Sequence, residues 1–185
     1  MTTNEEIRTA QLKVREAYKM SPDTALSTSH ASAEVGDGLK CVFKQGTETA
    51  VMDLPEVMGG SNKGSTPGFH ARAAVSGCVA IGIKMEAANQ GISIDSIHVG
   101  IEMDFDDSAA LGMGSNSAAP LATRLVITVT TDHEESDIQA LVAQVLEKDT
   151  FFLALRDAQA VSAEIVLDRS LTCLLYTSDA ADELT

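Results

Sequence analysis

Thr66-Pro67-Gly68-Phe69-His70-Ala71-Arg72-Ala73-Ala74-Val75-Ser76-Gly77-Cys78 reads as the opening of a helix that ends up carrying a sulfur atom. Thr66 is a natural cap, and Pro67 suits a first turn, where a missing N–H costs nothing. Small apolar residues follow, with a cysteine eleven positions after the proline. A loop of glycine, serine and asparagine precedes it, Gly59-Gly60-Ser61-Asn62-Lys63-Gly64-Ser65. The helical pattern continues to Gln90, and Gly91 stands where a C-cap glycine is expected.

Outward from this helix, the N-terminal side begins with a helix over Asn4–Met20, with Ile7, Ala10, Val14, Ala17 and Tyr18 on one stripe. Ser21-Pro22-Asp23 ends it. Ala25–Val35, Leu39–Gln45 and Thr49–Leu54 read as three strands separated by Gly36-Asp37-Gly38 and Gly46. On the C-terminal side, Ile92–Phe105 reads as a long strand that slips register at Asp95-Ser96. A loop over 106–120 leads to a strand at Leu121–Thr130. Ser136 caps a helix bearing Ile138, Leu141, Val142, Val145 and Leu146, and Asp149 interrupts it. Thr150–Ala158 forms a further helical segment, and Val161–Leu167 a last strand. Such an order is not a βαβ alternation and predicts a mostly antiparallel α+β fold.

The end of the chain is set apart. Cys173 to Glu183 is what a common transposase-adaptor DNA encodes when translated, so residues 172–185 are read as sequencing-adaptor sequence and kept out of fold reasoning. That divides the chain into an N-terminal helix and turn over 1–23, one domain over 24–171, and the adaptor tail. The roughly 170 residues before the tail suffice for one real core.

Composition excludes several functions. The formal charge is −14, or −11 without Asp179, Asp182 and Glu183, which disfavours nucleic acid and anionic membranes. No apolar run reaches a membrane span, and no leader pattern is present. With Cys41 and Cys78 as the cysteines outside the tail, reduced thiols in the cytoplasm are the expectation. His30, His70, His98 and His133 are scattered without zinc spacing, so no metal is expected. Asp104, Asp106 and Asp107 lack the alternation and closing glutamate of a calcium loop. Gly112-Met113-Gly114 opens no helix and is no dinucleotide fingerprint. No cofactor is implied.

The order of Gly-rich loop, Thr-Pro, Ala-rich helix and single cysteine resembles the OsmC/Ohr family of thiol-dependent hydroperoxide reductases. A second stretch adds to it: Leu111-Gly112-Met113-Gly114, then Ala119-Pro120-Leu121-Ala122-Thr123-Arg124, similar to the loop feeding the fifth strand in one branch of the family. The resemblance implies an N-terminal β-meander, a long central helix with the reactive cysteine, a β-hairpin, then helices and a last strand, assembled as an intertwined homodimer. It implies Cys78 as nucleophile, a small hydroperoxide as substrate and a thiol as reductant. Phe69, His70, Phe151 and Phe152 would line the pocket, with Arg72, Arg124 and Asp149 as polar support. The alternative is a non-catalytic dimer of the same fold that binds a small apolar ligand.

Three positions depart from the family pattern. Gly68 stands where a glutamate follows the helix-opening proline, and Asp149 stands at the position of the resolving cysteine. The strand expected to supply an arginine, Ala25–Val35, holds His30 instead. Within its own helix Cys78 neighbours Ala71, Ala74, Val75, Ile81, Gly82 and Met85, an apolar setting that raises a thiol's pKa. The plain reading is that Cys78, like Cys41 on its strand face, is a small buried hydrophobe.

Overall fold

The computed structural model describes residues 2–168; the adaptor run and Cys173 lie outside them. The longest helix, α2 (Pro67–Gln90), is the axis of the molecule. Its start is as the sequence dictates: Thr66 Oγ1 accepts from Phe69 N at 3.3 Å. Its end is equally local. Gly91 takes the left-handed conformation at φ 73°, and the Ile92 N–H returns to Ala87 O at 2.9 Å, closing the last turn.

Three elements pack on one side of α2. They are an antiparallel hairpin of β4 (Ser96–Asp104) and β5 (Ala122–Thr130), the helix α4 (Glu135–Leu146), and the short helix α5 (Thr150–Arg156). Register runs from Ser96 opposite Thr130 to Asp104 opposite Ala122. The hairpin's inward residues, Ile97, Val99, Leu125, Ile127 and Val129, cover a core of Val79, Ile83, Ala87, Ile94, Leu141 and Val145. The period-2 pattern of β5 and the 3.6 period of α2 and α4 therefore meet on one apolar layer.

On the N-terminal side, α1 (Asn4–Met20) lies against α2 and buries none of its residues. It is held locally by a capping box, Thr3 with Glu6. The meander β1 (Ser32–Val35), β2 (Cys41–Gln45) and β3 (Glu48–Met52) forms a separate three-stranded antiparallel sheet. It contributes no residue to the core layer around α2. Cys41 is half-buried on β2, opposite Val35 and Met52.

Four sequence expectations change. The helix α4 is capped at Glu134, and Ser136 lies inside it rather than at its cap. Only Ser32–Val35 of the Ala25–Val35 run is strand, because Pro22–Ala25 forms a 3-10 turn and the intervening residues carry little β-branched or aromatic surface. The long strand starts at Ser96 rather than Ile92, since Ile92 completes the cap of α2. The loop over 106–120 holds one helical turn, α3 (Asp107–Ala110), capped by Asp106. A further difference is at the C-terminal end: Val161–Leu167 pairs with no strand among the described residues. Val161, Ile165, Val166 and Leu167 are all exposed. An alternating pattern specifies which face a strand would bury and leaves open what it would pair with.

Candidate functional site

Two features fix the geometry around Cys78. The first is the Gly-rich loop that feeds α2, tied around Asp53. This carboxylate is 2% exposed and accepts from Leu54 N at 2.8 Å, Ser61 N at 3.2 Å, Ser61 Oγ at 2.7 Å and Lys63 N at 3.0 Å. Those donors, Lys63 N and Ser61 Oγ foremost, hold its pKa at about 2, below the ordinary 3.8. Gly60 is required there: a Cβ would stand 1.8 Å from Leu54 O.

The second feature is the junction of α4 and α5. Asp149 is the N-cap of α5 and accepts from Phe152 N at 2.9 Å through Oδ1. Its other oxygen is turned toward α2, where a Cβ on Gly82 would stand 3.6 Å from Oδ2 and 3.0 Å from Val145 Cγ1. Glycine at 82 lets the junction close onto the helix. One turn earlier on the same face is Cys78, half-buried.

The thiol of Cys78 thus meets groups from outside its own helix. Burial pushes its pKa up, and the hydrogen bond to the Asp149 carboxylate, with that group's negative charge, pushes the same way. The backbone N–H groups of Phe151 and Thr150 pull in the opposite direction. The net shift is upward, which favours the protonated thiol over the thiolate. Asp149 is itself 6% exposed.

Neither Arg72 nor Arg124, the two arginines named from the sequence, is among the groups that shift this thiol. Arg72 folds back over Gly68, its Nη1 3.2 Å from where a Cβ there would stand. Arg124 sits on β5 and is bidentate to Asp104, at 2.6 and 2.8 Å, with Glu102 at 3.1 Å. Arg156 engages Glu147 and Asp157 and lies 5.8 Å over the Phe152 ring.

The aromatic residues divide. Phe152 packs against the core layer, whereas Phe151 and Phe69 are exposed. His70 stands edge-on to Phe69 at 5.4 Å, and its Nε2 is buried with no hydrogen-bond partner among the described residues. A cleft of about 560 Å³ opens elsewhere, between β5 and α4, walled by Ile127, Val129, Ile138, Val142 and Leu146 with His133 and Glu135 at its polar side. None of Phe69, His70, Phe151 and Phe152 lines it. Among the described residues no cluster of three His, Cys, Asp or Glu side chains is placed to hold a metal ion. No helix among them is long and apolar enough to cross a membrane.

Sequence reasoning read Asp149 as a break in a helix and, through the family resemblance, as polar support for Cys78, but missed that it caps the next helix. The signal was present: Asp followed by an apolar run is an N-cap pattern. Gly82 and the two backbone donors carried no such signal, because they meet Cys78 only through tertiary packing.

The family profile described as OsmC-like protein matches residues 60–164, more than half of the chain. This chain belongs to the OsmC family. The match spans the Gly-rich loop, α2, the hairpin, α4 and α5. Solved structures agree on the fold. An OsmC-like protein from Mycoplasma pneumoniae superposes with a TM-score of 0.60 at 12% identity, covering 70% of this chain and 88% of its own. An OsmC-like protein of unknown function from Vibrio cholerae gives 0.53 at 12%, covering 70% and 94%. An organic hydroperoxide resistance protein OsmC from Legionella pneumophila gives 0.50 at 20%, covering 71% and 90%. No curated protein matches the sequence.

Proposed function

We propose that this protein reduces hydroperoxides through Cys78 alone and is restored by an external thiol. The sulfur attacks the O–O bond, an S–O bond forms, and the alcohol leaves with the thiol's proton, leaving a sulfenic acid. One external thiol then condenses with it, releasing water and forming a mixed disulfide. A second thiol frees Cys78 and departs as the external disulfide. Asp149 in place of a second cysteine supports this one-cysteine course.

The observation that carries the reading is the setting of Cys78. It lies on the central helix of an OsmC fold, facing the Thr150 and Phe151 N–H groups and one buried carboxylate. Those donors can hold the charge that develops on sulfur or on a sulfenate oxygen. The substrate class comes from the family, which includes the Legionella pneumophila organic hydroperoxide resistance protein. Phe151 and Phe69, both exposed, offer apolar surface suited to an organic peroxide rather than a bare one.

A homodimer is part of the proposal. Among the described residues the half-buried Cys41, Val42 and Phe43 of β2 are not part of the core around α2, and Val161–Leu167 has no strand partner. A second chain would supply both, and light scattering on the purified protein should give twice the chain mass. The reading also implies a thiol-reducing compartment such as the cytoplasm.

A non-catalytic dimer binding a small apolar ligand is favoured by one observation, the upward shift of the Cys78 thiol. Cys78→Ser separates the two. If the main reading holds, thiol-dependent consumption of tert-butyl or cumene hydroperoxide disappears in the variant. Wild-type protein that consumes neither peroxide, with the same affinity for an apolar probe in both forms, establishes the binding reading instead.

A further inference from the structure

Resting on the peroxide-reducing reading, we propose that Asp149 is the proton carrier of the reaction. It takes the proton of the Cys78 thiol as sulfur attacks and delivers it to the departing alkoxide. The step balances within the site. The S–H proton moves to Asp149 Oδ2, an S–O bond forms as the O–O bond breaks, and the same proton passes to the alkoxide, which leaves as alcohol. Asp149 ends as it began, a carboxylate, and Cys78 ends as a sulfenic acid.

Geometry is the ground for this. Asp149 is buried and fixed at Oδ1 by Phe152 N, so its position does not depend on the thiol. Among the described residues Oδ2 takes no backbone donor, and it lies 3.6 Å from where a Cβ on Gly82 of α2 would stand. A thiol that must lose its proton during attack needs an acceptor within hydrogen-bond reach, and Asp149 is the charged side chain that meets it. Charged groups on the packed elements are engaged elsewhere. Lys148 on the α4–α5 junction binds Glu86 at 2.6 Å, Arg156 on α5 binds Glu147 and Asp157, and Arg72 on α2 lies over Gly68.

The test separates proton transfer from simple electrostatics by reading two reactions of the same sulfur in the full chain. Cys78 alkylation by iodoacetamide and Cys78 oxidation by cumene hydroperoxide, trapped as the sulfenic acid, are both followed by peptide mass spectrometry in wild type, Asp149→Asn and Asp149→Ser. Asparagine and serine both cap helices, so the fold of the junction is kept. A proton carrier predicts opposite signs. Alkylation at pH 7 accelerates, about tenfold for each unit by which the thiol pKa falls. Oxidation slows relative to alkylation by about a hundredfold, the lower end of what a positioned acid–base group supplies. Acceleration of both reactions would make Asp149 only a brake and overturn the proposal. No change in either would show that the carboxylate does not act on the sulfur, which overturns it equally. A wild type that alkylates at Cys78 but is never oxidised by the peroxide removes the peroxide-reducing reading first, and the proton role with it.

Discussion

Two buried aspartates serve this fold in opposite ways. Asp53, in the loop before α2, has four donors from three residues closed around its carboxylate. Asp149, at the junction after α4, has one backbone donor and turns its second oxygen to a thiol. Each is paired with a glycine that permits its approach, Gly60 against backbone and Gly82 against side chains. A saturated carboxylate can only hold structure. A half-satisfied one keeps an oxygen for a neighbouring polar group, here the Cys78 thiol. Burial alone therefore does not mark a functional acid; the partner of its last oxygen does.

Breaking the first region should have the largest effect. Gly60→Ala places a Cβ 1.8 Å from Leu54 O, and backbone cannot yield by changing rotamer. The loss should exceed the about 1–3 kcal/mol typical of an overfilled core, read as a lowered midpoint in urea. Asp53→Asn comes next, because in either orientation the amide turns its NH2 donor onto a backbone donor, Leu54 N on one side or Ser61 N and Lys63 N on the other. Its pH dependence has a fixed sign. Asp53 has a folded pKa of about 2 against an ordinary 3.8, so its contribution is fully present above about 3.8 and is lost as pH falls through about 2. The gap in melting temperature between wild type and Asp53→Asn should be constant near neutrality and shrink below pH 3.8.

The second region should respond more in chemistry than in stability. Gly82→Ala brings a Cβ to 3.0 Å from Val145 Cγ1, a methyl that can give way. It should cost about 1 kcal/mol, at the low end for overpacking, and speed Cys78 alkylation by easing Asp149 away from the sulfur. Asp149→Asn should change stability least, within about 0.5 kcal/mol, since asparagine caps as well as aspartate. If Asp149→Asn proved as destabilising as Asp53→Asn, the contrast between the two sites would collapse.

What could be read in advance follows from the range of each signal. Both ends of α2 and of α1 are observed where the sequence puts them, at Pro67 and Gln90 and at Asn4 and Met20. Their caps are decided by residues within four positions. The core stripe of α4, with Leu141 and Val145 innermost, was equally legible from its period. Cys78 could be named, and the family resemblance offered Asp149 and Phe151 as its neighbours, but residue spacing alone could not place them beside it. Spacing within α2 gives only the apolar neighbours on the same helix, whereas Asp149, Thr150 and Phe151 arrive from more than seventy residues away. Val161–Leu167 shows the converse: a clean alternation with no partner among the described residues.

Coupling between the Cys78 thiol and a buried carboxylate is the central claim. The most direct check is the rate of Cys78 alkylation in the wild-type chain as a function of pH, resolved from Cys41 by peptide mass. Such coupling predicts a midpoint above that of a free thiol, about 8.5, with little modification at neutral pH. A midpoint well below 8.5 would contradict it, because an activating cation rather than Asp149 would then govern the sulfur.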